Sequence, residues 1–449
     1  MEQRIINGAL EILRARLEVN DLDGAVAVLE KLRPADQADV FEELKPQAQI
    51  ELLPRLDVTD SADILEELED EDAADLAEQL HPEILAQILD AMEPDEAADV
   101  LAEMEPQPRF EALTRMSDPD EVRPLLLHRE ETAGGLMTSE FMALRRRMTA
   151  AEALAAVHTW APEAEASHHV FVVDRDGHLM GVVSLLQLIK AEPNTRVEDL
   201  MDPDVISVHV TTDGEECARL MARYDILALP VVDDENRLVG ALTADDLMEV
   251  LEEEATEDIQ RLGGAQPLER AYLDTSVFTV ARKRIGWLLL LFLTETLTGS
   301  VLRLFQQELE TAVALAFFIP LLIGTGGNAG SQTTSTIVRA LAVGDVKLRD
   351  APRVFAHELL VGLFLGLAMA IIGFGRALTW GTARSVAMAV SAALLVVVLW
   401  ANVVGSLLPL IASRLRIDPA VVSGPFMSTL VDATGLLIYL SLAKAILGI

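Results

Sequence analysis

Hydrophobic and polar positions follow three different periods along these 449 residues. From Ile285 onward the apolar residues run in five segments, 285–305, 312–342, 354–374, 386–412 and 420–443. Each reaches the roughly 20 residues that a membrane-spanning helix requires. Between 20 and 120 the period is 12: Leu32, Leu44, Leu56, Leu68, Leu80, Met92, Met104 and Met116 recur at that interval. Several are followed closely by proline and an acid, as in Met92-Glu93-Pro94-Asp95. A unit of this length holds one short helix and its turn, with proline in the first helical turn, where a missing N–H is harmless. Stacked units bury their apolar faces only against neighbours, so the pattern predicts an all-α helical superhelix.

Between these regions a strand pattern occurs twice. The run Phe171-Val172-Val173-Asp174 through Gly181-Val182-Val183 matches Pro230-Val231-Val232-Asp233 through Gly240-Ala241-Leu242 at an offset of 59. Each copy reads as strand, acidic turn, strand and helix. The preceding parts match as well, Leu136-Met137 with a helix from Thr149 and Leu200-Met201 with a helix from Asp213. A helix from about Asp245 then continues to Gly263-Gly264, with Asp246, Glu249, Glu253 and Glu257 in one stripe and Glu254 and Asp258 beside it. Each like-charge pair at that spacing costs roughly 0.2–0.5 kcal/mol, so the stripe calls for counter-ions, and a divalent cation meets that need.

Charge divides the chain at the same place as hydropathy. Of 72 acidic residues, 64 precede Lys283, which gives the part up to Arg282 a net −41 and the remainder +4. Nucleic acid is an unsuitable partner for such a chain, because its binding rests on neutralising phosphates with Lys and Arg. Cys217 is the only cysteine, so there is no intrachain disulfide and no Cys-based zinc site. The stretch from Met1 to Asn20 is charged and amphipathic, without the apolar core of a signal peptide. No Ser/His/Asp arrangement or phosphate-binding Gly-Lys loop points to an enzyme.

With a cytosolic N-terminus, the inner loops hold Arg282, Lys283, Arg284, Arg339, Lys347, Arg349, Arg353, Arg414 and Arg416, against Arg303, Arg376, Arg384 and Lys444 outside. That asymmetry fits a multi-pass protein of the cell membrane with an extracytoplasmic C-terminus. Lys444 then snorkels to the outer interface. The second segment carries Pro320 and the run Gly324-Thr325-Gly326-Gly327-Asn328-Ala329-Gly330-Ser331-Gln332. Glycines allow close helix packing, whereas Asn328, Ser331 and Gln332 suggest the wall of a pathway through polar or broken backbone. In the fifth segment Asp432 follows Gly424-Pro425 by two turns and sits near mid-depth; Glu295, flanked by Thr294 and Thr296, is central in the first. A carboxylate at that depth is a functional-site candidate.

The paired strand units resemble tandem CBS motifs. The whole order, from acidic helical repeat through CBS pair and acidic helix to five membrane segments, resembles the MgtE family of magnesium channels. The anchors are Ala133-Gly134-Gly135-Leu136-Met137-Thr138, Glu254-Ala255-Thr256-Glu257-Asp258-Ile259, Gly324–Asn328, Ala401-Asn402 and Asp432–Tyr439. The resemblance covers essentially the whole chain. It implies an N domain over 1–131, a tandem CBS domain over 132–248, a connecting plug helix and linker over 249–280, and an all-α five-helix membrane domain over 281–449.

It further implies a homodimer that imports Mg²⁺ along its two-fold axis, where Asp432 from both protomers holds the hydrated ion. Mg²⁺ sheds water reluctantly, so recognition of its water shell by carboxylates is physically sensible. By motif position the regulatory Mg²⁺ ligands are Asp63, Asp95 and Asp99 in the helical repeat, and Asp213, Glu215, Asp225, Asp246 and Glu249 in the second CBS unit, with the Ala222 carbonyl. Glu254, Glu257 and Asp258 supply the plug, and Asp418 an ion at the cytosolic mouth. Mutual repulsion of two −41 domains favours a splayed assembly, and bound Mg²⁺ compacts it into the closed state.

The chain departs from the family pattern in three places. Glu295 is not called for and would add a second ring of charge or a salt bridge. Ser423-Gly424-Pro425 replaces a frequent Asn-Pro. ATP at the CBS pair would use Asp225 and the turn Thr243-Ala244-Asp245-Asp246, but Ser184-Leu185-Leu186-Gln187 stands where a charged Arg-Asp pair belongs, which weakens that expectation. The rival readings are a transporter of Mn²⁺, Co²⁺ or Ni²⁺, and a membrane-anchored ligand sensor that transports nothing. The membrane half has no Cys set or His cluster beyond His357 to favour softer metals.

Overall fold

The computed structural model of the chain describes residues 2–160, 169–268, 272–273 and 275–449. It divides into two units, Met1–Glu253 and Glu254–Ile449. The first begins with helices α1 (Glu2–Glu18), α2 (Leu22–Leu29), α3 (Pro34–Glu42), α4 (Pro46–Leu52), α5 (Val58–Glu66), α6 (Asp70–Ala77), α7 (Pro82–Leu89), α8 (Pro94–Glu103), α9 (Pro106–Arg115) and α10 (Pro119–Val122). From α3 to α9 the helix starts keep the interval of the sequence repeat, and the repeated Leu or Met lies two positions before each start. Leu44, Leu56, Leu80, Met92, Met104 and Met116 are buried, and Leu32 and Leu68 pack against the same core. Proline opens α3, α4, α7, α8, α9 and α10, where its fixed φ suits the first turn.

Packing follows from this pitch. Helix α3 lies on α5, α5 on α7 and α7 on α9, while α2 lies on α4, α4 on α6 and α6 on α8, giving two staggered rows. Acids tie the rows together. The Glu66 carboxylate accepts a hydrogen bond from the Glu93 backbone N–H (2.7 Å), Glu78 from Glu105 (2.6 Å) and Asp90 from Ser117 (2.9 Å), each across 27 residues. An acid at the end of one helix thereby satisfies an orphan donor at the start of another.

The paired units form two three-stranded sheets. One contains β1 (Ala143–Arg145), β2 (His169–Val173) and β3 (Leu179–Ser184); the other contains β4 (Val208–His209), β5 (Ala228–Val232) and β6 (Leu238–Thr243). Pairing is parallel then antiparallel in each, with Val172 opposite Gly181 and Val231 opposite Gly240. The associated helices are α11 (Ala150–Thr159), α12 (Leu185–Lys190), α13 (Val197–Leu200) and α14 (Gly214–Tyr224). The acidic turns are built alike. Asp174 accepts the N–H groups of Asp176 and His178, Asp233 those of Glu235 and Arg237, and Gly177 and Asn236 hold the left-handed position. One assignment is exchanged relative to the sequence pairing. Met137 fills the space above Gly240 in the second sheet and Met201 that above Gly181 in the first, so each Leu-Met segment crosses to the other copy.

Helix α15 (Asp246–Leu262) runs through the division between the units and ends where Gly264 adopts φ +75°. The second unit has α16 (Val277–Leu304), α17 (Gln306–Thr311), a 3-10 turn, α18 (Ile319–Ala342), α19 (Ala351–Thr379), α20 (Arg384–Arg414) and α21 (Gly424–Leu447). Among the described residues, five helical stretches of this unit are long and apolar enough to cross a membrane. Helix α16 starts before the expected residue 285, because Ser276 caps Thr279 (3.1 Å) and the basic residues continue the helix.

Of the alternatives open for the glycine run, the backbone is not broken: α18 is continuous. A Cβ on Gly326 would lie 2.7 Å from Val397 and 2.9 Å from Val431, and one on Gly330 3.0 Å from Met427, so these glycines let α18 approach α20 and α21. From the other side, a Cβ on Gly405 would lie 2.7 Å from the Gly330 carbonyl.

Candidate functional site

Among the described residues, the acids anticipated from the sequence fall mainly at three places. The first lies within the N-terminal unit, where Glu93 and Asp95, at the start of α8, meet Asp246 at the start of α15. Asp95 is 5 % exposed; it accepts a hydrogen bond from Thr138, yet its Oδ1 has no hydrogen-bond partner among the described residues. Burial and then the neighbouring Asp246 and Glu93 push its carboxyl well above the usual range. Burial, with Asp246, Glu66, Asp245 and Glu140 nearby, pushes Glu93 up to about 7. Burial also raises Asp246, although Thr243 opposes it by donating from Oγ1 (2.6 Å) and N (3.0 Å) to Oδ2.

The two anticipated ligands Asp95 and Asp246 are thus brought together, joined by Glu93, Glu66 and Glu140, which the sequence reading does not single out. The repeat offers a signal for Glu93, the residue between the periodic Met92 and the helix-opening Pro94. Asp63 and Asp99 are half-buried on α5 and α8. Asp213, Glu215, Ala222 and Asp225 belong to α14 and its ends: Asp213 caps Glu215 N, Glu215 pairs with Arg219 (3.1 Å), and Asp225 is a left-handed C-cap at φ 53°. The side chain of Glu249 lies outside the described residues.

The second place is the end of α15, within the C-terminal unit. Arg261, absent from the sequence-based set, binds Glu257 and also donates to Asp418 in the loop before α21 at 2.5 Å. Asp258 lies beside them and is raised by burial and by Asp418, with Arg339 acting in the opposite sense. Glu254 is half-buried in the preceding turn of α15. Two of the anticipated plug and mouth ligands therefore share an arginine.

The third place is the interior of the apolar helices. Ser423 caps α21 by accepting from Phe426 N (3.3 Å), which explains why the helix begins at Gly424-Pro425. Ser331 on α18 donates to the Gly424 carbonyl (3.1 Å), and Tyr439 donates to the Leu315 carbonyl (3.0 Å), fixing the helix at both ends. Between these ties Asp432 is half-buried and has no hydrogen-bond or ion-pair partner among the described residues. Exposed Asn328 and Gln332 with Ser335, Thr336 and Arg339 make one polar stripe on α18, while Ser331 turns inward to α21. Asn402, 1 % exposed, donates to Glu358 (3.3 Å). Lys444 forms an ion pair with Glu308 (2.5 Å) and so has a protein partner beyond the expected snorkelling.

Three family patterns match the chain. The MgtE pattern, described as a divalent cation transporter, covers residues 319–442; the MgtE intracellular N domain covers 32–130, and CBS domains cover 133–194 and 197–253. Magnesium transporter MgtE of Thermus thermophilus is 47% identical over 73% of this chain and 72% of its own length. The Enterococcus faecalis protein of that name is 36% identical over 72% and 71%. A crystal structure of the cytosolic domain of the Mg²⁺ channel MgtE in complex with ATP has 38% identity and a TM-score of 0.51, covering 54% of this chain and 99% of that one. The soluble part of a magnesium transporter gives 30% identity and a TM-score of 0.50, covering 56% of this chain and 99% of that one. With its N domain, CBS pair and apolar helices in this order, the chain belongs to the MgtE family of transporters.

Proposed function

We propose that the protein is a homodimeric Mg²⁺ channel that imports Mg²⁺ across the cell membrane and is closed by Mg²⁺ on its cytosolic side. The observation that carries this reading is Asp432: a half-buried carboxylate midway along an apolar helix, with no cationic or donor partner among the described residues. A charge so placed needs a counter-ion or a watery path. The exposed polar stripe of α18 makes the same demand, since lipid cannot satisfy amides and hydroxyls. A second protomer facing these groups across a shared axis supplies both, and a pair of Asp432 carboxylates suits the water shell of Mg²⁺.

Closure follows from the other two places. Mg²⁺ between Asp95 and Asp246 turns buried like-charge repulsion into attraction, and Asp63, Asp99 and the α14 acids add further ligands. Glu254, Glu257, Asp258 and Asp418 bring the end of α15 to the membrane domain, so that binding there favours the shut state.

ATP fits less well. Thr243 and Asp246 are bonded to each other as a helix cap, and Ser184 and Gln187 make the same cap at the matching place in the first unit (Ser184 N to Gln187 Oε1, 2.9 Å). A nucleotide would have to displace both caps, whereas Mg²⁺ can use the remaining oxygen of Asp246, so Mg²⁺ is assigned as the regulator.

The test is Mg²⁺ current in patches holding the full chain, with Mg²⁺ on the cytosolic face raised through the millimolar range. Current that falls as that Mg²⁺ rises, and is abolished in Asp432→Asn, supports the reading. Asp432→Asn with unchanged current ends it.

A further inference from the structure

Helix α16 touches the rest of the unit along a narrow stripe. Lys283, Trp287, Leu291, Thr294, Thr298 and Val301, spaced by three and four, are among its less exposed positions and form the stripe. The stripe packs on α21, with Trp287, three turns into α16, against Phe426 in the first turn of α21 (ring centroids 6.4 Å apart). From that contact the two helices run in the same direction. Two turns further on, Glu295 lies at the border of the stripe and Asp432 lies on α21. That places the Glu295 carboxylate close enough to Asp432 to bear on it electrostatically.

Glu295 is exposed, and no cation or hydrogen-bond donor among the described residues meets it. Its neighbours do not help: the hydroxyls of Thr294 and Thr296 donate to backbone carbonyls of their own helix, at 2.9 and 2.5 Å. One turn beyond, Thr298 is only 6 % exposed and its Oγ1 has no hydrogen-bond partner among the described residues. A buried hydroxyl of this kind requires water. An unpaired carboxylate beside a water-requiring hydroxyl does not belong against lipid.

We propose that Glu295 is a second ion-facing carboxylate of the conduction route, set beside Asp432 and holding the same hydrated divalent ion through its water shell. This rests on the Asp432 reading above. It makes the site two carboxylates per protomer, on two helices whose spacing is fixed by the Trp287–Phe426 contact. The added charge raises occupancy by divalent over monovalent cations, because attraction scales with the ion's charge.

The test uses the full chain in liposomes, with Mg²⁺ uptake measured against external Mg²⁺ and against the blocker hexaamminecobalt(III), whose ammine shell mimics hydrated Mg²⁺. In Glu295→Gln, half-saturating Mg²⁺ and half-blocking hexaamminecobalt(III) both rise, roughly tenfold for one unit charge near a divalent ion in a wet cavity. Glu295→Asp restores most of the shift. In a Cys217→Ser background, Glu295→Cys is modified by a quaternary-ammonium thiosulfonate from the water phase, and Mg²⁺ slows that modification.

Wild-type half-saturation and block in Glu295→Gln, or a Glu295→Cys thiol that stays unmodified in a transporting protein, overturns the proposal while loss of uptake in Asp432→Asn leaves the pore reading in place. Normal uptake in Asp432→Asn removes the pore reading itself and this proposal with it.

Discussion

Arg261 donates to Asp418 at 2.5 Å while also binding Glu257, so one guanidinium neutralises carboxylates from the last turns of α15 and from the loop before α21. Two of the acids proposed above as regulatory ligands in this place therefore already have a cation. If Mg²⁺ closes the channel here, it competes with or supplements an arginine already present.

Removing that arginine should therefore make closure easier. In Arg261→Gln, Glu257 and Asp418 lose their cation and become stronger ligands. The half-inhibitory cytosolic Mg²⁺ should fall about fivefold, corresponding to the roughly 1 kcal/mol upper range for a partly exposed pair. Patch currents at graded cytosolic Mg²⁺ measure it, and an unchanged or raised half-inhibitory concentration would contradict the competition.

Asp95 makes the opposite kind of prediction. Its buried carboxyl is 5 % exposed and sits beside Asp246 and Glu93. Asp95→Asn removes a like-charge conflict, so the Mg²⁺-free protein at alkaline pH should gain thermal stability. The same variant should lose most of the extra stabilisation that Mg²⁺ gives, because a ligand is missing. Melting curves of the full chain, with Mg²⁺ and with chelator, distinguish the two effects.

Glu93 adds a pH dependence. Its carboxyl is raised to about 7 from an ordinary 4.5, so the folded state holds a proton that the unfolded state releases sooner. The stability linked to that proton is complete below about 4.5 and is lost as pH rises to about 7. Without Mg²⁺, the N-terminal unit should become more susceptible to protease across that window. Saturating Mg²⁺ should flatten the profile, and Glu93→Gln should do so without the ion.

The glycines of the membrane helices can be tested for packing. Gly405→Ala places a methyl 2.7 Å from the Gly330 carbonyl, which is backbone and cannot turn aside. A loss of about 1–3 kcal/mol is expected from overpacking. Gly375→Ala, with nothing within 4 Å, serves as the control and should leave the melting temperature of the detergent-solubilised protein unchanged or raise it slightly.

The architecture was legible where a period fixed it. The constant interval between Leu44, Leu56 and the later members dictates helix, turn and stacking face together, and the second repeat reproduces even the left-handed turn positions Gly177 and Asn236. What each acid does was harder to read, because that depends on partners far away in the chain. Glu66 and Asp90 look like surface charge in the sequence but serve backbone N–H groups at Glu93 and Ser117, while the acidic neighbour of Asp95 is the distant Asp246. The glycine run was ambiguous for a related reason. Glycine permits both a break and a close approach, and only the bulk of Val397, Val431 and Met427 opposite it decides for the latter.

The carboxylate ties from Glu66, Glu78 and Asp90 to helix starts 27 residues on have a consequence for how this domain can change length. They act like a thread of fixed pitch: adding or deleting one whole repeat hands every tie to an equivalent position, whereas inserting half a repeat strands both rows at once. Growth and shrinkage of the domain are therefore quantised, and these three acids belong to the thread.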